Sequence, residues 1–197
     1  WYAPSLHDPR QAGLADWSVA EIARLLQTGV AERGRASGPM AEVVFHGTQH
    51  LSADDAAAMA VYLRALPQAA PAPPPAAVPR SRLAESGAKL YEQHCAQCHG
   101  EQGQGQGQAY PPLAGNRAVT LESVDNLLQA VLYGGFNAAT AGYPRPFGMP
   151  PFLLTLSDQD VAATLSHIRT AWGNQASEVS TAQVHALRSR TSTAAQR

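Results

Sequence analysis

The chain has 197 residues, of which 45% are hydrophobic and 15% charged, with a formal net charge of −1. That is enough sequence for one or two small domains with modest cores, and it excludes a disordered polyelectrolyte. Lys and Arg are not in excess, so the electrostatic footprint of a nucleic-acid binder is missing, and no stretch approaches the roughly 18 consecutive apolar residues of a membrane span.

The first residues, Trp1-Tyr2-Ala3-Pro4, include neither an initiator Met nor a basic and apolar leader, which reads as a processed chain or a fragment. After YAPSL at 2–6, SVAEIARLLQTG predicts an amphipathic helix, with Ser18 and Glu21 spaced as a capping box and Gly29 as its stop. GPMAEVV then presents Met40, and LSADDAAAMAVYLRAL predicts a helix opening at Ser52. Residues 67–79, PQAAPAPPPAAVP, are almost entirely Pro and Ala, a composition that makes an extended, semi-rigid spacer rather than core.

Beyond the spacer, a helix carries Gly87, Tyr91 and Cys95 at four-residue spacing, so one face offers a Gly for close approach and an aromatic ring. It leads into HCAQCH at 94–99, which holds the only two cysteines of the chain. The Gln-Gly alternation from 102 to 108 lacks both the preceding strand and the lysine of a phosphate loop, and is expected to be a flexible surface loop. YPPL at 110–113 and a helix from Thr120 to Gly134 follow, and then RPFGMPPF places Met149 in a loop kept off regular structure by Pro144, Pro146, Gly148, Pro150 and Pro151.

LSDQDVAATLSHIRTAW opens a helix at Ser157 with Asp160 three residues on, and Val161, Leu165, Ile168 and Trp172 share the face expected to cross the Gly87 and Tyr91 face. After Asn174 the tail is small and polar, and is expected to lie over the surface or to be disordered. No strand-like alternation stands out, so the chain reads as helix and loop.

The segments on either side of the spacer form an imperfect repeat: YAPSL against YPPL, an amphipathic helix, a Met-bearing segment, then a Leu-Ser-x-x-Asp helix start. His99 precedes Leu113 by 14 residues, so a matching His of the first copy falls before residue 1. On this pattern the first copy is a truncated unit that lacks its front end, with apolar helix faces expected to favour disorder or association.

A Cys-x-x-Cys pair followed by His can be half a zinc site, a redox dithiol or a c-type haem attachment. Zinc normally takes four Cys or His ligands as two spaced pairs, and there is no second pair. A thioredoxin-like dithiol belongs at a strand end in a βαβ unit, whereas this one follows a helical turn. Haem attachment remains, because two thiols at this spacing reach two vinyl groups while the next residue places an imidazole below the iron.

Met149, 50 residues after His99, supplies a sixth ligand from a stiff loop, although an isolated Met is as readily core filling. His7, His46, His50, His167 and His185 read as surface or helix-face residues, and His94 as pointing to solvent, with lining of the haem edge as its alternative. Tyr143, Arg145 and Arg117 are candidates for contact with haem propionates.

The residues from 83 to 172 resemble a class I cytochrome c, with Gly87 and Tyr91 on a first helix, CAQCH, the YPPL turn, the Met149 loop and a terminal helix. The resemblance implies a mainly α fold, a small helical bundle around a covalent haem, in which the Pro111 carbonyl accepts the His99 N–H and Leu113 packs on the haem. GEQGQGQGQAYPPLAGN, YPRPFGMPPF and HIRTAWGN are similar to the last domain of multi-haem cytochrome subunits of bacterial dehydrogenases acting on alcohols or gluconate, and to modules paired with nicotinate-type molybdenum hydroxylases. Residues 1–66 resemble the back half of the preceding domain, with Met40 as its distal ligand but no Cys-x-x-Cys-His to serve it.

The domains expected are therefore 1–66, a truncated cytochrome c-like unit; 67–79, a linker; 80–174, a cytochrome c domain; and 175–197, a polar tail. The resemblance implies a non-catalytic electron-transfer subunit with one haem c attached at Cys95 and Cys98 and ligated by His99 and Met149. It would take electrons from a partner dehydrogenase and pass them toward quinone or another carrier, in the periplasm, with the outer face of the inner membrane as an attachment surface. The competing expectation is a haem peroxidase or oxidase with a displaceable distal Met.

Overall fold

The structure, a computed structural model, describes residues 1–70 and 81–194, with side chains to residue 190. Most of the Pro/Ala spacer falls outside the described residues. Among the described residues the regular structure is nine α-helices and a single pair of two-residue strands, a mainly α architecture. No helix of these is long and apolar enough to cross a membrane.

The contacts divide the chain into two compact units. One is drawn from Ala3–Pro73 with Gly135–Gly148, the other from Pro74–Gly134 with Met149–Arg197. Residues 135–148 group with the first unit.

In the first unit, α1 (Val19–Thr28) starts at a complete Ser18–Glu21 capping box and stops at Gly29, which takes a left-handed φ of 73°. α2 (Pro39–His46) begins with Met40 inside its first turn, so this Met stands on a helix rather than in an open loop. A 3₁₀ turn (Thr48–His50) leads to α3 (Ala53–Ala65), capped by Ser52. Leu14, Trp17, Ile22, Ala31 and Ala60 make the core, with a smaller cluster of Ala41, Val44 and Ala138. Ala138 comes from the 135–148 segment, where β1 (Gly135–Phe136) pairs with β2 (Gly148–Met149) and the Thr140 hydroxyl donates to the Thr28 carbonyl at 3.2 Å. Met40, Val43, Met59, Val61 and Tyr62 are exposed.

In the second unit, α4 (Arg82–His94) runs into α5 (Ala96–His99), followed by α6 (Arg117–Thr120), α7 (Asp125–Tyr133), α8 (Asp158–Thr170) and α9 (Thr181–Ala194). α4 crosses α8 where Gly87 meets Ala163; a Cβ on Gly87 would sit 2.0 Å from the Ala163 carbonyl oxygen, so only Gly permits this approach. The α4 face is the expected one, and Trp172 does reach Tyr91, but on α8 the crossing is made by Ala163 and His167 rather than by the Val161, Leu165 and Ile168 stripe. Val161 to Arg169 are buried throughout, because the other side of α8 is covered by the tail.

That tail is folded, against the expectation of a surface or disordered segment. Val179, Val184 and Leu187 are buried in the main core, with Val184 and Leu187 one helical turn apart. The Glu178 carboxylate accepts from the Ser81 N–H at 3.0 Å and from its hydroxyl at 2.7 Å, placing negative charge at the N-terminus of α4.

Candidate functional site

Cys95 stands at the junction of α4 and α5, with φ −124° and ψ −36°. Its N–H still donates to the Tyr91 carbonyl at 2.8 Å, and its carbonyl accepts from Cys98 at 3.2 Å and His99 at 2.9 Å. One tight turn therefore fixes both thiols and the imidazole relative to α4. Burial first, then the neighbouring Cys98, pushes the Cys95 thiol up to about 11, so it is protonated at neutral pH. A redox dithiol needs the opposite shift.

His99 is oriented by its other ring nitrogen: Nδ1 lies 2.9 Å from the Pro111 carbonyl oxygen. That oxygen is an acceptor only, so Nδ1 carries the proton and Nε2 presents the lone pair. The turn bearing Pro111 is held in place from both ends. Leu113 and Ala114 donate to the Gly103 carbonyl at 2.7 and 3.0 Å, and Gly105 donates to the His99 carbonyl at 2.7 Å.

The Gln-Gly segment, expected as a flexible surface loop, is thus tied to the site. Gly103 has φ +63°, and a Cβ there would lie 2.6 Å from the Trp172 ring.

Two residues build this side, of which Asn174 carries no signal in the sequence. Asn174, 5% exposed, donates from Nδ2 to the carbonyls of Leu113 (3.0 Å) and Ile168 (2.7 Å), and its Oδ1 accepts from Gly115 at 2.9 Å. It bolts the Pro111–Leu113 turn to the end of α8. Trp172 takes a left-handed φ of 53°, costly for a residue with a Cβ, and this turns its indole back toward Tyr91, 4.8 Å between centroids.

His167, expected as a surface or helix-face residue, lies on α8 and is buried between Tyr91 and Trp172, with centroids 5.7 and 5.2 Å away. The Tyr91 hydroxyl donates to the Gly100 carbonyl at 2.5 Å, and burial is the main reason its pKa is pushed up to about 12. Arg169, 1% exposed, donates to the carbonyls of Val119, Leu121 and Ser177; burial lowers its pKa to about 10, so it remains a cation at neutral pH.

Met149 is half-buried against the main core, as are Cys95, Leu113 and Phe152. Its loop is pinned on the C-terminal side: Phe152 and Leu153 donate to the carbonyls of Val131 and Leu132, both at 3.0 Å. His94, expected to face solvent, is half-buried with its ring edge-on to Phe152, 5.9 Å between centroids. Of the residues expected near propionates, Arg117 opens α6 and is half-buried, whereas Tyr143 is buried and Arg145 exposed within the first unit. Met40 is exposed on α2 of that unit. Among the described residues no group of three or more His, Cys, Asp or Glu is arranged to hold a bare metal ion.

The family model for cytochrome c matches residues 84–172. The chain is 35% identical over 198 residues to the alcohol dehydrogenase (quinone) cytochrome c subunit of Gluconobacter oxydans, covering 95% of this chain and 41% of that protein. It is 30% identical over 213 residues to the fructose dehydrogenase cytochrome subunit of Gluconobacter japonicus, covering 95% and 44%. Cytochrome c-552 of Thermus thermophilus is 40% identical over 91 residues, 45% of this chain and 69% of that protein. The chain therefore spans less than half the length of the two dehydrogenase subunits.

Proposed function

Because the chain belongs to the cytochrome c family, we propose that its c-type haem is attached to Cys95 and Cys98, with His99 and Met149 as the axial ligands of the iron. Bound there, the haem supplies a one-electron Fe(III)/Fe(II) couple, and the chain is an electron carrier rather than a catalyst. The observation that carries the assignment is the 2.9 Å contact from His99 Nδ1 to the Pro111 carbonyl. It fixes the imidazole tautomer and orientation and strengthens Nε2 as a ligand, which is what a proximal histidine requires.

The donor set supports the reading as well. Two thiols in one turn match two thioether bonds, and the half-buried Leu113 and Met149 give apolar surface that a macrocycle would cover. A thioether from Met149 opposite His99 would leave no open site for substrate and would raise the reduction potential relative to bis-histidine ligation.

In the first unit we read Met40 as a residue in the distal position of a second cytochrome c-like unit, with no Cys-x-x-Cys-His in this sequence to serve it. The haem count is then one per chain. The relatives named as dehydrogenase subunits support a place in such a complex. Electrons would come from a dehydrogenase subunit and leave toward quinone or another cytochrome, with the periplasm as the compartment where thioether attachment occurs and the outer face of the inner membrane as an attachment surface.

Production in a host that matures c-type cytochromes, followed by haem quantification and visible spectra of both oxidation states, tests this reading. One covalent low-spin haem per chain that titrates reversibly with one electron is expected. A high-spin spectrum that reacts with peroxide would overturn His/Met ligation and favour a peroxidase.

A further inference from the structure

The C-terminal helix α9 lies beyond residues 84–172 of the family match, yet it reaches the loop that carries Met149. Arg188 extends from it, partly buried, and its guanidinium engages three groups. Nε donates to Asp158 Oδ1 at 2.7 Å, Nη1 donates to the Leu153 carbonyl, and Nη2 donates to the Leu156 carbonyl at 3.0 Å. Asp158, the first residue of α8, also lies 3.2 Å from His185 Nδ1 through its other oxygen. A planar fork of this kind fixes direction as well as distance, which a lysine cannot reproduce.

Leu153 and Leu156 follow Met149 by four and seven residues. Between Met149 and Phe152 stand only Pro150 and Pro151, whose rings lock φ and stiffen the connection. A displacement at Leu153 is therefore carried back to Met149 instead of being absorbed. The N–H groups of Phe152 and Leu153 are held by α7 and the carbonyls of Leu153 and Leu156 by Arg188, so the segment is gripped from both sides.

We propose that Arg188 is a positioning residue for the distal ligand: by clamping the Leu153 and Leu156 carbonyls it holds Met149 against displacement from the haem iron. The inference rests on the assignment of Met149 as axial ligand. Without the clamp the Pro-stiffened loop swings more readily, and an added ligand competes better for the ferric iron.

The test uses the haem-bearing chain and imidazole as competing ligand, titrated spectrally on the parent and on R188A, R188K and R190A. Arg190 lies on the same helix and pairs with Asp125, the first residue of α7, at 3.6 Å, so it controls for general docking of α9. The expected result is an apparent imidazole affinity raised about tenfold in R188A, equivalent to about 1.4 kcal/mol, a comparable rise in R188K, and a change within about twofold in R190A. R188K keeps the charge beside Asp158 and so supplies the answer if R188A fails to fold.

An unchanged imidazole affinity in the Arg188 variants would overturn the proposal, even if their unfolding midpoints fell, and so would an equal rise in R190A. A parent chain without covalent haem would overturn the functional reading together with this one, whereas a haem-bearing parent with unresponsive Arg188 variants would overturn this one alone.

Discussion

The closing helices of the two units, α3 and α8, start alike, with Ser52 and Ser157 each accepting from the N–H three residues on. Their surroundings then differ. α3 buries Ala56 and Ala60 and leaves Met59, Val61 and Tyr62 in solvent, whereas α8 is buried from Val161 to Arg169. The difference is what covers them. α8 has α4 on one side, admitted by Gly87, and the tail on the other, and the first unit has no described counterpart of either. A similar pattern thus yields a two-sided core in one place and a one-sided helix in the other, because amphipathic spacing sets only which face can be buried, not what buries it.

The sharpest way to break the comparison is to remove the groups that only the second unit possesses. Replacing both Cys95 and Cys98 by Ala should abolish covalent haem altogether, read by haem stain and intact mass, while protection of α1 amides in the first unit persists. A unit 1 that loses protection in parallel would show that the two folds are not independent.

Core truncation comes next. L165A removes a fully buried side chain and should cost about 2–5 kcal/mol in denaturant unfolding, whereas Y62S on α3 should stay within about 0.5 kcal/mol. Equal costs would contradict the one-sided environment of α3. G87A tests the crossing itself: the added methyl meets the Ala163 backbone, and the overpacking should destabilise by about 1–3 kcal/mol despite the better helix propensity of Ala.

Acid sensitivity gives the smallest contrast. Hydrogen bonds from Arg10 hold the Asp8 carboxyl down at about 2, below its ordinary 3.8. A lowered carboxylate contributes stability that is complete above the ordinary value and lost as pH falls through about 2. Hydrogen exchange in α1 should therefore keep its protection down to about pH 4 and lose part of it below, and D8N should flatten that limb.

Much of the second unit was legible because its signals are local. Gly87, Tyr91 and Cys95 announced the α4 face, the Ser157–Asp160 box announced the start of α8, and the Met149 loop was marked by its prolines. The residues that were missed act over long separations. Asn174 reaches Leu113 61 positions away and Arg169 reaches Val119 50 positions away, and nothing in their neighbourhoods distinguishes them from ordinary polar residues. The burial of His167 is not legible from its place on a helix face, because it depends on Trp172 turning back through an unfavourable φ. The packing of the tail is not legible because Val179, Val184 and Leu187 are too sparse to show a periodic stripe until the core they fill is known.

The most direct test is the weak near-infrared Met-to-iron band of the oxidised, haem-bearing protein, compared between the parent, M149A and M40A. The band should be present in the parent and in M40A and absent in M149A, as the proposed ligation by His99 and Met149 requires. A band that survives M149A, or one that disappears in M40A, would contradict that assignment.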